Sequence, residues 1–349
     1  MAIDFPSSPA ANARYIAANG WMYFYADSGW TTYASTISPS PFTSNQFRYR
    51  SIYTRGYTSA GYIASTPWRT VNRTQHSTDI TTNIGDLLEF AASYIDGSYS
   101  DYYHYVYGAS NAHATPTTNT TAINMSTEAS RAHSSTWDTK TSRGDCAALM
   151  NPTLTIAYIT GGGSSATDKH NFVTETMYAA GSAPANPVSA GGTGGGISAF
   201  YGEFRGWINV SASVAYLTWS NETWTTGGGF ALSTDGQPKG LSSKHGLGYC
   251  SAGSYGGTTT LTKFNDVTGA TISGLSRPEA AGEENWQTGQ DWGYSIGCYN
   301  GIIQNNNSTK VSYLTDTCVA MGADTQPKGH AGMSSGCCAS ASAYRLGGL

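Results

Sequence analysis

Charge is the scarcest commodity in this chain. Lys and Arg number 18 and Asp and Glu 22, together 11% of 349 residues, against roughly a quarter in an average soluble protein. The formal net charge of −4 and a pI near 5.9 leave no basic surface with which to displace counterions from phosphates, so no nucleic acid is expected as a partner. There is no run of about 18 apolar residues, so no membrane insertion is expected. The opening Met1-Ala2-Ile3-Asp4-Phe5-Pro6 lacks both a basic region and an apolar core, and no secretory leader is expected there. The seven sequons, at Asn72, Asn119, Asn124, Asn209, Asn221, Asn306 and Asn307, are then read as products of a Thr/Ser-rich composition. No Cys-x-x-Cys occurs among the six cysteines, and no paired histidines accompany them. Neither a disulfide framework nor a zinc set is expected. A sustained 3.6-residue apolar period is also missing, which removes helices as the main element.

What fills the chain is Gly (42 residues), Tyr (24) and abundant Thr, Ser and Asn. Thr, Tyr and Trp favour strands, while Gly and Asn supply tight turns, so the fold class is all-β with many short strands. An acidic residue set among β-formers recurs at Asp79, Glu128, Glu175, Glu222, Asp266 and Asp316, at intervals of 49, 47, 47, 44 and 50 residues. Read locally, each marks a strand. A Gly-, Ala- and aromatic-rich strand precedes each acid: 61–64, 105–108, 157–160, 204–207, 248–251 and 296–299. A seventh copy, Gly336-Cys337-Cys338-Ala339, has no acid after it. Cys250, Cys298 and Cys338 fall at matching places in these copies and read as small apolar residues packed near an axis.

A strand-built unit of this length fits a four-stranded propeller blade, which cannot bury its own faces and must stack around an axis. The Gly-rich strands suit the innermost position, where chains crowd together. The repeat resembles the kelch-like β-propellers, most closely where Gly248 to Gly257 is followed by Thr260 to Gly274; the resemblance implies the fold and no function. Seven Gly-rich strands predict seven blades, with six as the alternative. Gln46 to Tyr53, which alternates as an exposed strand does, is expected to close the ring.

Residues 1–40 stand outside the repeat. They predict a strand to Ile16, a turn at Asn19-Gly20, a strand to Tyr25, a turn at Asp27-Ser28-Gly29 and a strand from Trp30. Phe5, Pro6, Ser8, Pro9, Tyr15, Trp21, Asp27, Gly29 and Trp30 resemble a small module at the start of many tailed-phage virion proteins. Asn12-Ala13-Arg14 stands where that module has Gly-Asp or Gly-Gln. The resemblance implies an attachment module at 1–40, a propeller at 41–349, and a virion location, in multiple copies, with other virion proteins as partners.

The chemistry-bearing residues point away from catalysis. The acids are spaced one per repeat, as a structural position would be, and paired-carboxylate chemistry needs two acids on one cleft. A sialidase-like propeller would need clustered Arg and repeated Ser-x-Asp-x-Gly-x-Thr-Trp turns, and only the fragment Ser233-Thr234-Asp235-Gly236 is present. The Gly191–Gly196 run lacks the Lys-Ser/Thr of a phosphate loop. No enzyme activity, cofactor or metal is therefore expected. The leading reading is a structural head, collar or tail appendage contributing to host adsorption. Its alternatives are a glycan-binding receptor-recognition module and a carbohydrate-active enzyme. A host-surface glycan would stack on the aromatics Tyr102, Tyr103, Tyr105, Trp286 and Trp292.

Overall fold

The computed structural model describes residues 14–16, 21–26 and 29–35, most of 55–321, and 335–339. By its contacts the chain divides into two compact units, residues 1–48 and 49–347. In the first, Arg14–Ile16, Trp21–Ala26 and Gly29–Ser35 form an antiparallel three-stranded sheet in sequence order. The turns expected at Asn19-Gly20 and Asp27-Ser28 lie outside the described residues.

The second unit is a β-propeller of six four-stranded antiparallel blades. Blade 2 runs through Gly97–Tyr99, Tyr103–Tyr107, Thr120–Asn124 and Ala129–Arg131. Blade 3 follows with Cys146–Met150, Ile156–Gly161, Asp168–Asn171 and Thr176–Met177. Blade 4 comprises Ile197–Tyr201, Arg205–Val210, Ser213–Thr218 and Thr223–Thr226. Blade 5 comprises Gly240–Ser242, Leu247–Ser251, Thr258–Asn265 and Thr271–Ala281. Blade 6 comprises Asn285–Thr288, Trp292–Tyr299, Gln304–Ser312 and Cys318–Ala320. Blade 1 is composite. Its second to fourth strands are Arg55–Ser59, Thr70–Gln75 and Ile80–Asp86, and its first is Ser335–Ala339 from the far end of the chain. The first strands of consecutive blades lie side by side, and that of blade 6 lies beside that of blade 1, so the ring is closed.

This corrects the expected seven blades to six. The seventh Gly-rich copy, Gly336 to Ala339, is the innermost strand of blade 1, pairing Cys338 with Gly56 and Ser335 with Ser59. One blade was thereby counted twice. The expected closing segment, Gln46 to Tyr53, lies outside the described residues; closure is made by Arg55–Ser59 against Ser335–Ala339.

The Gly-rich strands are also displaced from their expected place. In blades 2 to 6 they are the second strand, one removed from the axis, and 61–64 contributes to a small hairpin of Tyr62–Ile63 with Thr66–Pro67. The reason is visible at Gly248. Its partner across the ladder is Phe264, and a Cβ on Gly248 would sit 2.0 Å from that ring. The glycine makes room for an aromatic of the neighbouring strand to lie across it.

Apolar side chains between blades supply the core. Tyr57, Val71, Tyr99, Tyr105, Ile123, Ala157, Ile159 and their neighbours form one cluster through blades 1, 2 and 3. Leu149 and Tyr158 meet Ile208 and Leu217 between blades 3 and 4. Trp207 meets Phe264 between 4 and 5, and Tyr249 and Leu261 meet Trp286 and Val311 between 5 and 6. Each fully buried side chain of this size contributes about 1.5–3 kcal/mol.

Candidate functional site

The recurring acids lie in the turns between third and fourth strands, where the sequence suggested strands. Asp79, Glu128, Glu175, Glu222 and Asp316 all adopt a left-handed backbone, with φ of 58°, 51°, 52°, 53° and 56°. Asp266 lies outside the described residues. Local hydrogen bonds set up these turns. The Asn124 side-chain oxygen accepts from the amides of Ser126 (2.9 Å) and Thr127 (3.0 Å), and Asn171 accepts from Val173 (2.8 Å) and Thr174 (3.1 Å). A residue with a Cβ is strained at such φ, typically by 1–2 kcal/mol, so each acid must gain something there.

The gain is a latch onto the preceding blade. Glu128 of blade 2 accepts from the Arg73 guanidinium at 2.9 Å to both carboxylate oxygens, from Arg55 at 3.3 Å and from the Tyr57 hydroxyl at 3.1 Å, all in blade 1. Glu175 of blade 3 is held by Arg131 of blade 2, whose guanidinium also donates to the Tyr105 hydroxyl at 3.2 Å. Glu222 of blade 4 accepts from Tyr158 at 2.9 Å and pairs with Lys169, both of blade 3. Asp316 of blade 6 accepts from Tyr249 at 3.1 Å and Lys263 at 2.6 Å, both of blade 5. Asp79 of blade 1 pairs with Lys310 of blade 6.

Strand register explains the recurrence. Tyr57 sits directly opposite Arg73, Tyr158 opposite Lys169, Tyr249 opposite Lys263 and Tyr294 opposite Lys310. A second-strand tyrosine and a third-strand cation thus share one face, aimed at the next blade. In blade 2 the residue opposite Tyr105 is Ala122, and the cation is supplied one strand further out by Arg131. Blade 4 replaces the pair with Trp207 and Tyr216, ring centroids 4.8 Å apart, and Arg205 stacks 4.3 Å above Tyr216. Burial, reinforced by the adjoining carboxylates, raises the hydroxyl pKa of Tyr158 and Tyr249 well above its usual value. Burial is also the leading cause of the rise at Tyr57 and Tyr105.

Sequence reasoning found the acids and missed these partners. A signal was present: a basic residue stands six positions before the acid in Arg73/Asp79, Lys169/Glu175 and Lys310/Asp316. It was unreadable as a latch because each cation serves the acid of the following blade.

Two further polar clusters lie inside the ring. Arg143 and Asp168 form a fully buried ion pair. Arg143 also donates to the carbonyls of Gly161 (2.6 Å) and Ala166 (2.9 Å), and Asp168 accepts from the amides of Lys140 and Thr141, so neither charge is left uncompensated. The Tyr107 hydroxyl lies 2.6 Å from Ser98 Oγ and 2.8 Å from His170 Nδ1. Burial lowers the pKa of His170 to about 3 and that of His104 to about 4, so both rings are neutral near pH 7. Among the described residues no group of three or more His, Cys, Asp or Glu could hold a metal ion.

The aromatics singled out for a glycan are not brought together. Tyr102, Tyr103 and Tyr105 belong to blade 2, and Trp286 and Trp292 to blade 6. Tyr105 is fully buried, stacked on Phe172, and Trp286 is buried in the cluster between blades 5 and 6. Neither can meet a sugar from solvent, because alternate side chains of an inner strand pack between blades. Arg131 covers Tyr103 at 3.9 Å and Lys310 covers Trp292 at 4.5 Å. Tyr102 alone of the five is exposed.

The chain matches no known protein-family model, and no curated protein matches it.

Proposed function

We propose that this chain is a non-enzymatic surface protein of a bacteriophage particle, with its propeller displayed and residues 1–40 attaching it to other virion proteins. The observation that carries the non-enzymatic half is the fate of the acids. The five described ones each reach back to a cation on a different neighbouring blade, so they go round the ring and do not converge on one cleft. Paired-carboxylate hydrolysis requires the opposite arrangement. The virion half rests on the Phe5-Pro6 to Trp30 resemblance.

The test is localisation and binding with the whole chain. Antibodies raised against residues 49–349 should decorate intact phage particles in electron micrographs, and particles carrying a chain that starts at Tyr49 should lose the label. Absence of label from intact particles would sink the virion reading. Release of sugar from a host polysaccharide by the purified chain would sink the non-enzymatic one. Contribution to host adsorption is read by retention on a glycan array without product; Tyr102→Ala should weaken such retention if this exposed ring is the contact.

A further inference from the structure

The seam between blades 4 and 5 is built differently from the five that carry a latch, and the turn at Gly269 shows how. The Asn265 side-chain oxygen accepts from the Thr268 amide at 2.9 Å, and the Gly269 amide donates to the Asn265 carbonyl at 2.8 Å. Asn171 accepts in the same way from Thr174 at 3.1 Å, and the Asp316 amide donates to the Ser312 carbonyl at 3.0 Å. Gly269 has φ 72°, in the left-handed region that the five latch acids occupy. The spacing agrees: Glu175, Glu222, Gly269 and Asp316 follow one another at 47 residues, whereas Asp266 stands three positions early. Gly269 is therefore the latch position of blade 5, with no acid on it.

The blade 4 side is exchanged to match. Lys169, Tyr216, Lys263 and Lys310 also recur at 47 residues, so Tyr216 stands where blades 3, 5 and 6 have the latch lysine. Opposite it is Trp207, at the place of the latch tyrosine. The indole is fully buried and lies on Gly269, where a Cβ would be 2.5 Å from its Cη2 atom. Phe264 of blade 5 meets the indole edge-on, with ring centroids 6.4 Å apart. Arg55, which opens the second strand of blade 1, donates to Glu128; Arg205, which opens that of blade 4, stacks on Tyr216 at 4.3 Å. Positions that elsewhere hold a phenol, an ammonium and a carboxylate here hold an indole, a phenol and a glycine. A side chain at 269 collides with the indole, and an ammonium at 216 would face no carboxylate on that turn, so mixed sets cost more than either complete set.

We propose that Trp207, Tyr216 and Gly269 form an indole lock that replaces the charged latch as a unit, each of the three residues fitting only its own set. The lock holds its seam by burial and ring packing. The other seams add charged hydrogen bonds at partly exposed positions, which salt screens.

Urea denaturation of full-length chains tests this. Gly269→Glu should lower the denaturation midpoint of the parent chain. In a chain that already carries Trp207→Tyr and Tyr216→Lys it should raise the midpoint, because there the carboxylate meets a hydroxyl and an ammonium. That rise should shrink in about 1 M salt. The same shift in both backgrounds, or loss of folding in both, would overturn the proposal, since independent positions add. A rise that salt leaves unchanged would overturn it too, because no charged latch would then have formed. If the doubly substituted chain does not itself fold, the seam between blades 3 and 4 decides. Glu222→Gly should lower the midpoint of the parent chain and raise that of a chain carrying Tyr158→Trp and Lys169→Tyr; equal shifts there would overturn the proposal.

Discussion

Glu128 collects two arginines and a tyrosine hydroxyl and is the least exposed of the latch acids, at 21% of its side chain, whereas Asp79 meets one lysine at 30%. Removing a partly buried acceptor of charged hydrogen bonds costs about 1–3 kcal/mol. Glu128→Ala should therefore lower the unfolding free energy by an amount in that range and by more than Asp79→Ala, as measured by urea denaturation. Equal and negligible losses would show that the latches contribute nothing. The backbone gives a second handle. Glu222 sits at φ 53°, so Glu222→Ala loses the latch and keeps the strain, while Glu222→Gly loses the latch and relieves it. Glycine should be the milder change by about 1 kcal/mol. At this scale the acids were legible, because one side-chain type recurs at a fixed period. Their left-handed conformation was not, since Glu is a poor marker for that region, whereas Asn124 and Asn171 four residues earlier carried the turn signal.

The closing strand is the element on which the ring depends. Ser335–Ala339 pairs along the whole of Arg55–Ser59, and its loss removes several ladder hydrogen bonds, each worth about 0.5–1.5 kcal/mol net, together with buried surface. A chain ending at Ser334 should melt at a lower temperature than the full chain and should aggregate through the freed edge of Arg55–Ser59. Starting the chain at Tyr49 leaves every described strand of the propeller in place and should leave its melting temperature unchanged. Equal melting of the full and C-terminally shortened chains would contradict closure by that strand. Strand content and the blade unit were legible from spacing and turn residues. The blade count was not, because Gly336 to Ala339 reads as the innermost strand of a further blade and is assigned to blade 1 only through pairing with Arg55–Ser59. That partner carries a single aromatic, Tyr57, and so escaped the Gly- and aromatic-rich pattern.

Across the whole molecule, burial of neutral titratable groups bounds the pH range of stability. His104 and His170 have folded pKa values lowered to about 4 and about 3, while unfolded histidine titrates near 6.5. Above about 6.5 neither state binds the proton and no dependence arises. As pH falls below that, the unfolded chain takes up protons that the fold refuses, and stability drops by about 1.4 kcal/mol per unit for each histidine until the folded values are reached. The buried tyrosines act at the other end. Their folded pKa values are raised, so stability present below about pH 10 is lost as the unfolded tyrosines ionise above it. The melting temperature should be flat between about pH 6.5 and 10 and fall on both sides, and His170→Phe should flatten the acid limb.

The central claim is a closed ring of six blades, with its first blade shared between the two ends of the chain. Averaged electron micrographs of the purified chain viewed down the axis test it most directly. Six lobes in an unbroken ring are predicted; seven lobes, or a six-lobed arc open in the majority of particles, would contradict it.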